Sequence, residues 1–325
     1  MLRSFLAGLL AIATPLIPAA FADDATQPAL NADVVFPEDA HKKRTRIGYG
    51  RLITNDFFGD GEDRWRTGGV QTSRVWGPQW DGALPQKIGA LIELRLGAEV
   101  LAPANLVTPG AGDRPYAGAL SAGLHTHYGL NALEVSMGAD LVFVGPDTGL
   151  LDLQSGLHDL LGVREPSAAT QAGQIQNTIR PTVVVELGKT HKLSDSVALR
   201  PFIEGRAGDE TLLRAGFDLA FGQVGRGELM TRDKVTGHLY RTIRSDWTGY
   251  SFVLGADVAH VTDSIYLPES GGFALNDSRE RVRAGVHWQG ESGRAGFYGL
   301  TWLGKEFEGQ EESQVIGSIR FNLEF

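Results

Sequence analysis

The sequence predicts an all-β chain folded as a transmembrane antiparallel β-barrel of about 12 strands, with a short helix in one long loop. Three observations carry this. The chain ends Ile319-Arg-Phe-Asn-Leu-Glu-Phe325, alternating apolar and polar up to a terminal aromatic residue. Period-two alternation puts Ile319, Phe321, Leu323 and Phe325 on one strand face, suited to lipid, and Arg320, Asn322 and Glu324 on the other, suited to a wet lumen. Similar alternation recurs from about residue 44 to the end. At the other terminus Arg3, the apolar stretch Phe5 to Ile17 and Ala20-Phe-Ala22 read as a secretory signal, too short for the roughly 20 apolar residues of a spanning helix.

Composition fits this reading. The chain has 42 glycines, 21% charged residues and no cysteine, which excludes disulfides, thiolate metal sites and a cysteine nucleophile. A net charge of -9 without a basic run excludes nucleic acid as a partner. No later segment is apolar enough for a spanning helix, so any membrane contact is made through strands.

In chain order, residues 1–22 are the expected signal peptide, 23–43 a polar periplasmic leader, and 44–325 the barrel. Strands are predicted at Arg46 to Thr54, Gly68 to Trp76, Lys87 to Leu96, Ala119 to His127, Ala132 to Phe143 and Thr178 to Gly188. The second half adds Ala198 to Ala207, Thr211 to Phe221, Tyr250 to His260, Arg281 to Gln289, Ala295 to Leu303 and Gln314 to Phe325. Short turns at 192–195 and 291–294 contrast with long connections at 57–66, 145–176 and 262–280, the two rims of an outer-membrane barrel. Trp65, Trp76, Trp80, Tyr128, Tyr240, Trp247, Tyr250, Trp288, Tyr298 and Trp302 fall near strand ends, where interfacial girdles form.

One stretch breaks the rhythm. After the turn Gly145-Pro-Asp-Thr-Gly149, leucines at 150, 153, 157, 160 and 161 have helical spacing, and Gly162 supplies the stop. Gln154 and His158, four residues apart, share a face beside this stripe. Histidine can act as a base near neutral pH, although a lone histidine on a helix is more often inert. Thr54-Asn-Asp56 and Glu62-Asp-Arg-Trp-Arg-Thr-Gly-Gly69 gather oxygens of the type Ca²⁺ prefers, but without EF-hand spacing; on residue types alone a polar hairpin turn accounts for them better. Asp113-Arg-Pro-Tyr-Ala-Gly118 reads as a Pro-fixed turn that pins a loop.

Taken in order, Asn55-Asp56, Asp63-Arg64 with Thr67-Gly68, Asp113-Arg-Pro-Tyr-Ala-Gly118, and Gly145-Pro-Asp-Thr-Gly with Gln154 and His158-Asp-Leu-Leu-Gly162 resemble the outer-membrane lipid A 3′-O-deacylase family. The match covers the first half of the chain; beyond about Pro181 only generic strands remain. The resemblance implies a 12-stranded barrel in the bacterial outer membrane that hydrolyses 3′-linked acyl esters of lipid A, the lipopolysaccharide anchor, and requires Ca²⁺. It implies His158 as general base, Asn55, Asp56, Thr67 and Gln154 as active-site polar residues, and Asp56 beside the metal. Glu165 falls where the family has an acidic residue, with Arg164 aligning equally well. The chain departs from the family in having no lysine between Ile88 and Asp113 and no Trp in the loop from Pro166 to Ala172. Two rival readings are a catalytically silent barrel, channel or structural, and a phospholipase using Ser155 with His158. The strand pattern leaves the oligomeric state open.

Overall fold

The computed structural model describes residues 44–322. The expected signal peptide, the leader and the last three residues of the terminal alternation lie outside them.

Twelve antiparallel strands form the wall. The first six are β1 (Thr45–Asn55), β2 (Trp65–Gly77), β3 (Leu91–Ala102), β4 (Ala117–Leu130), β5 (Leu133–Val144) and β6 (Thr178–Gly188). A two-residue strand, β7 (His191–Lys192), lies in the turn to β8 (Val197–Ala207), and β9 (Glu210–Phe221) follows. An inner hairpin, β10 (Leu229–Arg232) and β11 (Leu239–Ile243), precedes β12 (Gly249–Ser264), β13 (Arg279–Gln289), β14 (Ala295–Leu303) and β15 (Gln314–Asn322). Each wall strand pairs with the next, β1 pairs with β15 (Ile53 opposite Ile319), and β6 pairs with β8, so the sheet closes on itself and has no free edge. Two helices, α1 (Leu150–Leu161) and α2 (Ala168–Ala172), occupy the β5–β6 connection.

The wall follows the sequence alternation. On β12, Ser251, Asp257 and Ala259 face inward and are buried, while Phe252, Leu254 and Val258 are exposed on the outer surface. Phe321 is exposed beside buried Arg320, the orientation expected of the terminal strand. An exposed apolar band of this kind is stable only against lipid.

Several expectations are corrected. β3 begins at Leu91 rather than Lys87, because residues 87–90 form a turn with Gly89 at φ +75°, and it continues to Ala102. The β4–β5 turn is Asn131-Ala132, both in the left-handed region as a two-residue hairpin of right-handed twist requires. Trp65, Tyr240 and Trp247 are buried, so they are not girdle residues, whereas Tyr250, Tyr298 and Trp302 are exposed on the outside.

The hairpin β10–β11 has no counterpart in the sequence reading. It folds into the lumen between β9 and β12, and most of its side chains are buried. Arg232 donates to Glu186 on β6 at 2.6 Å and Asp218 on β9 at 2.8 Å, and stacks 3.5 Å over the Phe202 ring. Tyr240 shares a 2.6 Å hydrogen bond with Ser73 on β2, and Thr301 on β14 donates to the Thr236 carbonyl. The barrel is therefore filled by part of its own chain. A mixed polar cavity of about 480 Å³ remains beside the hairpin.

Candidate active site

The site lies at the rim carrying the longer loops, opposite the rim at which the described chain starts and ends. β1 finishes at Asn55, whose Oδ1 accepts from the Phe57 amide at 2.9 Å and so caps a 3₁₀ turn, Asp56–Phe58. The turn is pressed onto β15: a Cβ on Gly59 would lie 2.1 Å from the Val315 carbonyl oxygen. This fixes Asp56 with its side chain buried, 1% exposed. Its Oδ2 accepts from the Arg64 amide at 2.7 Å and its Oδ1 lies 3.4 Å from Thr67 Oγ1. Burial pushes its carboxyl up to about 8, with Asp63 and Asp60 nearby adding to the effect. Among the described residues no cationic side chain is paired with it.

Across from this turn, Asp63 and Trp65 hold positive φ angles of 52° and 50°, a strained backbone for residues other than glycine. The strain turns the Asp63 carboxylate into the cleft, where Thr67 Oγ1 donates to its Oδ1 at 2.6 Å. Trp65 is buried, and its indole donates to Asp113 Oδ1 at 3.3 Å. Asp113 also accepts from the Ala104 and Arg114 amides, while Arg114 pairs with Glu306 at 2.9 Å. The Asp113–Gly118 segment thus anchors loops. Its last glycine admits the turn before α1, since a Cβ there would lie 2.6 Å from Thr148 Oγ1.

Helix α1 runs between Gly149 and Gly162, both left-handed. It is inverted relative to a soluble amphipathic helix. Leu150, Gln154 and His158 form its buried line, while Leu153 and Leu160 are exposed, the latter by 70%. His158 Nδ1 donates to the Arg164 carbonyl at 2.7 Å, and Nε2 lies 3.3 Å from Asp63 Oδ2, a contact in which the nitrogen is the donor because the carboxylate can only accept. Gln154 Nε2 reaches Asp63 Oδ1 at 3.5 Å, and Gln154 Oε1 is buried without a partner.

These elements enclose a cleft of about 350 Å³. Outward-facing Ile53, Gly68, Val70, Ala98 and Val100 form one side and the leucines of α1 the other. The cleft therefore lies against the outer, lipid-side surface of the wall. Asn55, Asp56, Thr67, Gln154 and His158 all line it. Glu165 does not: it is exposed in the loop after α1.

A family model, outer membrane protein LpxR, matches residues 6–325. The chain belongs to the LpxR family of outer-membrane proteins. LpxR is the lipid A 3′-O-deacylase family whose motifs it resembles, and an outer-membrane barrel is what the fold shows. Among solved structures it is similar to LpxR from Salmonella typhimurium, at 20% identity and a TM-score of 0.64, over 85% of this chain and 100% of that one. It also matches the beta domain of the Bordetella autotransporter BrkA, at 10% identity and a TM-score of 0.38 over 85% and 98% of the two chains. No curated protein matches in sequence. The first likeness shows the LpxR barrel fold; the second carries no more than a distant resemblance.

The sequence left Asp63 without a role, although the structure puts it at the middle of the cleft. The signal was the acidic pair Glu62-Asp63 before a strand, but its partner Gln154 is 91 residues away.

The donor chemistry of the cleft fits a hard cation. Asp56 is a buried carboxylate without a counter-charge, and Gln154 Oε1 is an orphaned neutral oxygen. Among the described residues no three His, Asp or Glu side chains form a metal cage, so neutral oxygens and water would complete the shell.

Proposed function

We infer that this chain is a Ca²⁺-dependent ester hydrolase that removes 3′-linked acyl chains from lipid A, with His158 as general base. One observation carries the reading. An imidazole whose Nδ1 is anchored on the Arg164 carbonyl and a buried, uncompensated Asp56 share one cleft on the lipid-side surface of the barrel rim.

The residues supply the steps as follows. The leucines of α1 and the outward residues of β1 to β3 hold the acyl chain, so the ester carbonyl lies at the polar end of the cleft. His158 Nε2 accepts a proton from water as the water oxygen attacks the carbonyl carbon. The Asn55 side-chain amide, whose Oδ1 is occupied by Phe57, offers its N–H groups to the oxyanion. The protonated imidazole then returns the proton to the departing sugar oxygen, which gives a free fatty acid and a 3′-hydroxyl. Ca²⁺ held at Asp56, with Thr67 and Gln154 as neutral oxygen donors, would supply positive charge near the developing oxyanion.

The structure favours neither rival. The lumen is occupied by the β10–β11 hairpin, which speaks against a channel. Ser155 Oγ has no partner among the described residues and His158 faces Asp63, so no Ser–His pair is formed for a phospholipase. The test is mass spectrometry of lipid A after incubation with the refolded protein, in Ca²⁺ and in EDTA. Loss of acyl mass only in Ca²⁺ is expected; no mass change in either would remove the enzyme reading.

A further inference from the structure

The helix is tied to the rest of the molecule at its two ends. Before it, Thr148 packs against Gly118 at the start of β4; after it, the Ser167 amide and Thr170 Oγ1 both donate to the Leu106 carbonyl. Between those ties its apolar face borders the open cleft. Asp63 spans the gap: one carboxylate accepts from Thr67 on β2, reaches Gln154 on α1, and lies 3.3 Å from His158 Nε2. It does so from a left-handed backbone, a local cost that persists only because surrounding contacts hold it.

We propose that Asp63 is the positioning residue of this site, a strut that fixes α1 against the barrel wall and sets the width of the cleft and the aim of His158 Nε2. Its charge has a second consequence. Once Nε2 has taken a proton from water, the imidazolium faces a carboxylate and is stabilised where it formed. Neither task requires Asp63 to touch the substrate. The catalytic part of this inference rests on the deacylase reading; the mechanical part does not.

Asp63→Gly is the informative variant, because glycine removes the carboxylate and suits φ +52°. Asp63→Glu keeps the charge on a longer stem. The chain has no cysteine, so spin labels enter only at Asp159→Cys on the exposed side of α1 and Leu124→Cys on the outer face of β4. The distance between them is measured by pulsed electron resonance in the folded, detergent-solubilised full chain, beside kcat and KM on lipid A. The expected result in Asp63→Gly is a broadened distance distribution, with kcat down about 100-fold and KM within about threefold, and partial recovery of both distance and kcat in Asp63→Glu. An unchanged distance distribution in Asp63→Gly overturns the strut whatever the activity. Broadened distances in a protein whose unsubstituted form does not hydrolyse lipid A support the strut and remove only the deacylase reading.

Discussion

The roles proposed for His158 and Asp56 rest on what surrounds them. The Arg164 carbonyl anchors Nδ1 and leaves Nε2 as the nitrogen that exchanges a proton in the cleft, so His158→Ala removes the proposed base; deacylation is expected to fall about 10²–10⁴-fold while the barrel still shows heat-modifiable migration. Full activity in that variant would end the assignment. Asp56 carries a pH dependence with a definite sign. Its folded pKa, about 8, lies above the ordinary carboxylate value, so the protonated form is favoured at low pH and the metal-free fold loses stability as pH rises towards 8. Proton and cation compete for the same oxygens. Ca²⁺ affinity, measured by titration calorimetry, should therefore rise about tenfold per pH unit from 6 to 8 and flatten above. A flat profile would show that no proton competes with the cation at Asp56 in this range. The sequence displayed both residues, but a carboxylate is read as surface until the fold shows it 1% exposed.

At the scale of the element, helix α1 shows what sequence periodicity can and cannot decide. The leucine spacing identified the helix and Gly162 its end, yet periodicity does not say which face looks inward. In water the leucines would be buried; beside lipid they remain outside, and the polar line Gln154 and His158 turns to the wall. Leu153→Ser and Leu157→Ser should raise KM for lipid A several-fold with kcat nearly unchanged, because they remove binding common to substrate and transition state. An equal fall in kcat would show that the leucines shape the reacting geometry instead. Gly68 belongs to the same scale: a Cβ there would lie 2.9 Å from the Asn55 amide nitrogen, so Gly68→Val should displace Asn55 and abolish activity without unfolding the wall. The β1–β2 segment was legible as a polar turn, whereas its strained entry at Asp63 and Trp65 was not, since positive φ in such residues is imposed by the packing of Trp65 and the contacts of Asp63.

For the whole molecule, the filled lumen is the main addition to the sequence picture. Arg232 lies between Glu186 and Asp218, and truncating one member of such a buried charge group commonly costs about 3–5 kcal/mol, so Arg232→Ala should lower the unfolding midpoint in urea clearly. Replacing residues 223–247 by a two-residue turn should convert a barrel silent in planar bilayers into one with steady conductance. Conductance by the intact protein would mean that the hairpin does not seal the lumen. The hairpin was missed because its strands are short, 4 and 5 residues, and because its side chains mix apolar residues that pack on Val75, Leu91 and Leu52 with buried Arg232, which pairs with wall carboxylates, so no period-two alternation marks it. The wall itself was legible almost strand by strand, since lipid outside and a polar lumen inside impose alternation on every strand.

The sequence by itself determined the barrel, its twelve wall strands, the helix in the long loop and the residues of the family motifs, because membrane solvation and turn chemistry act locally along the chain. The tertiary structure alone decided that Asp56, His158 and Asp63 share one cleft, that Glu165 stays out of it, that α1 turns its polar line to the wall and that a hairpin fills the lumen. Those outcomes depend on contacts between residues far apart in the chain, and local preference carries no information about them.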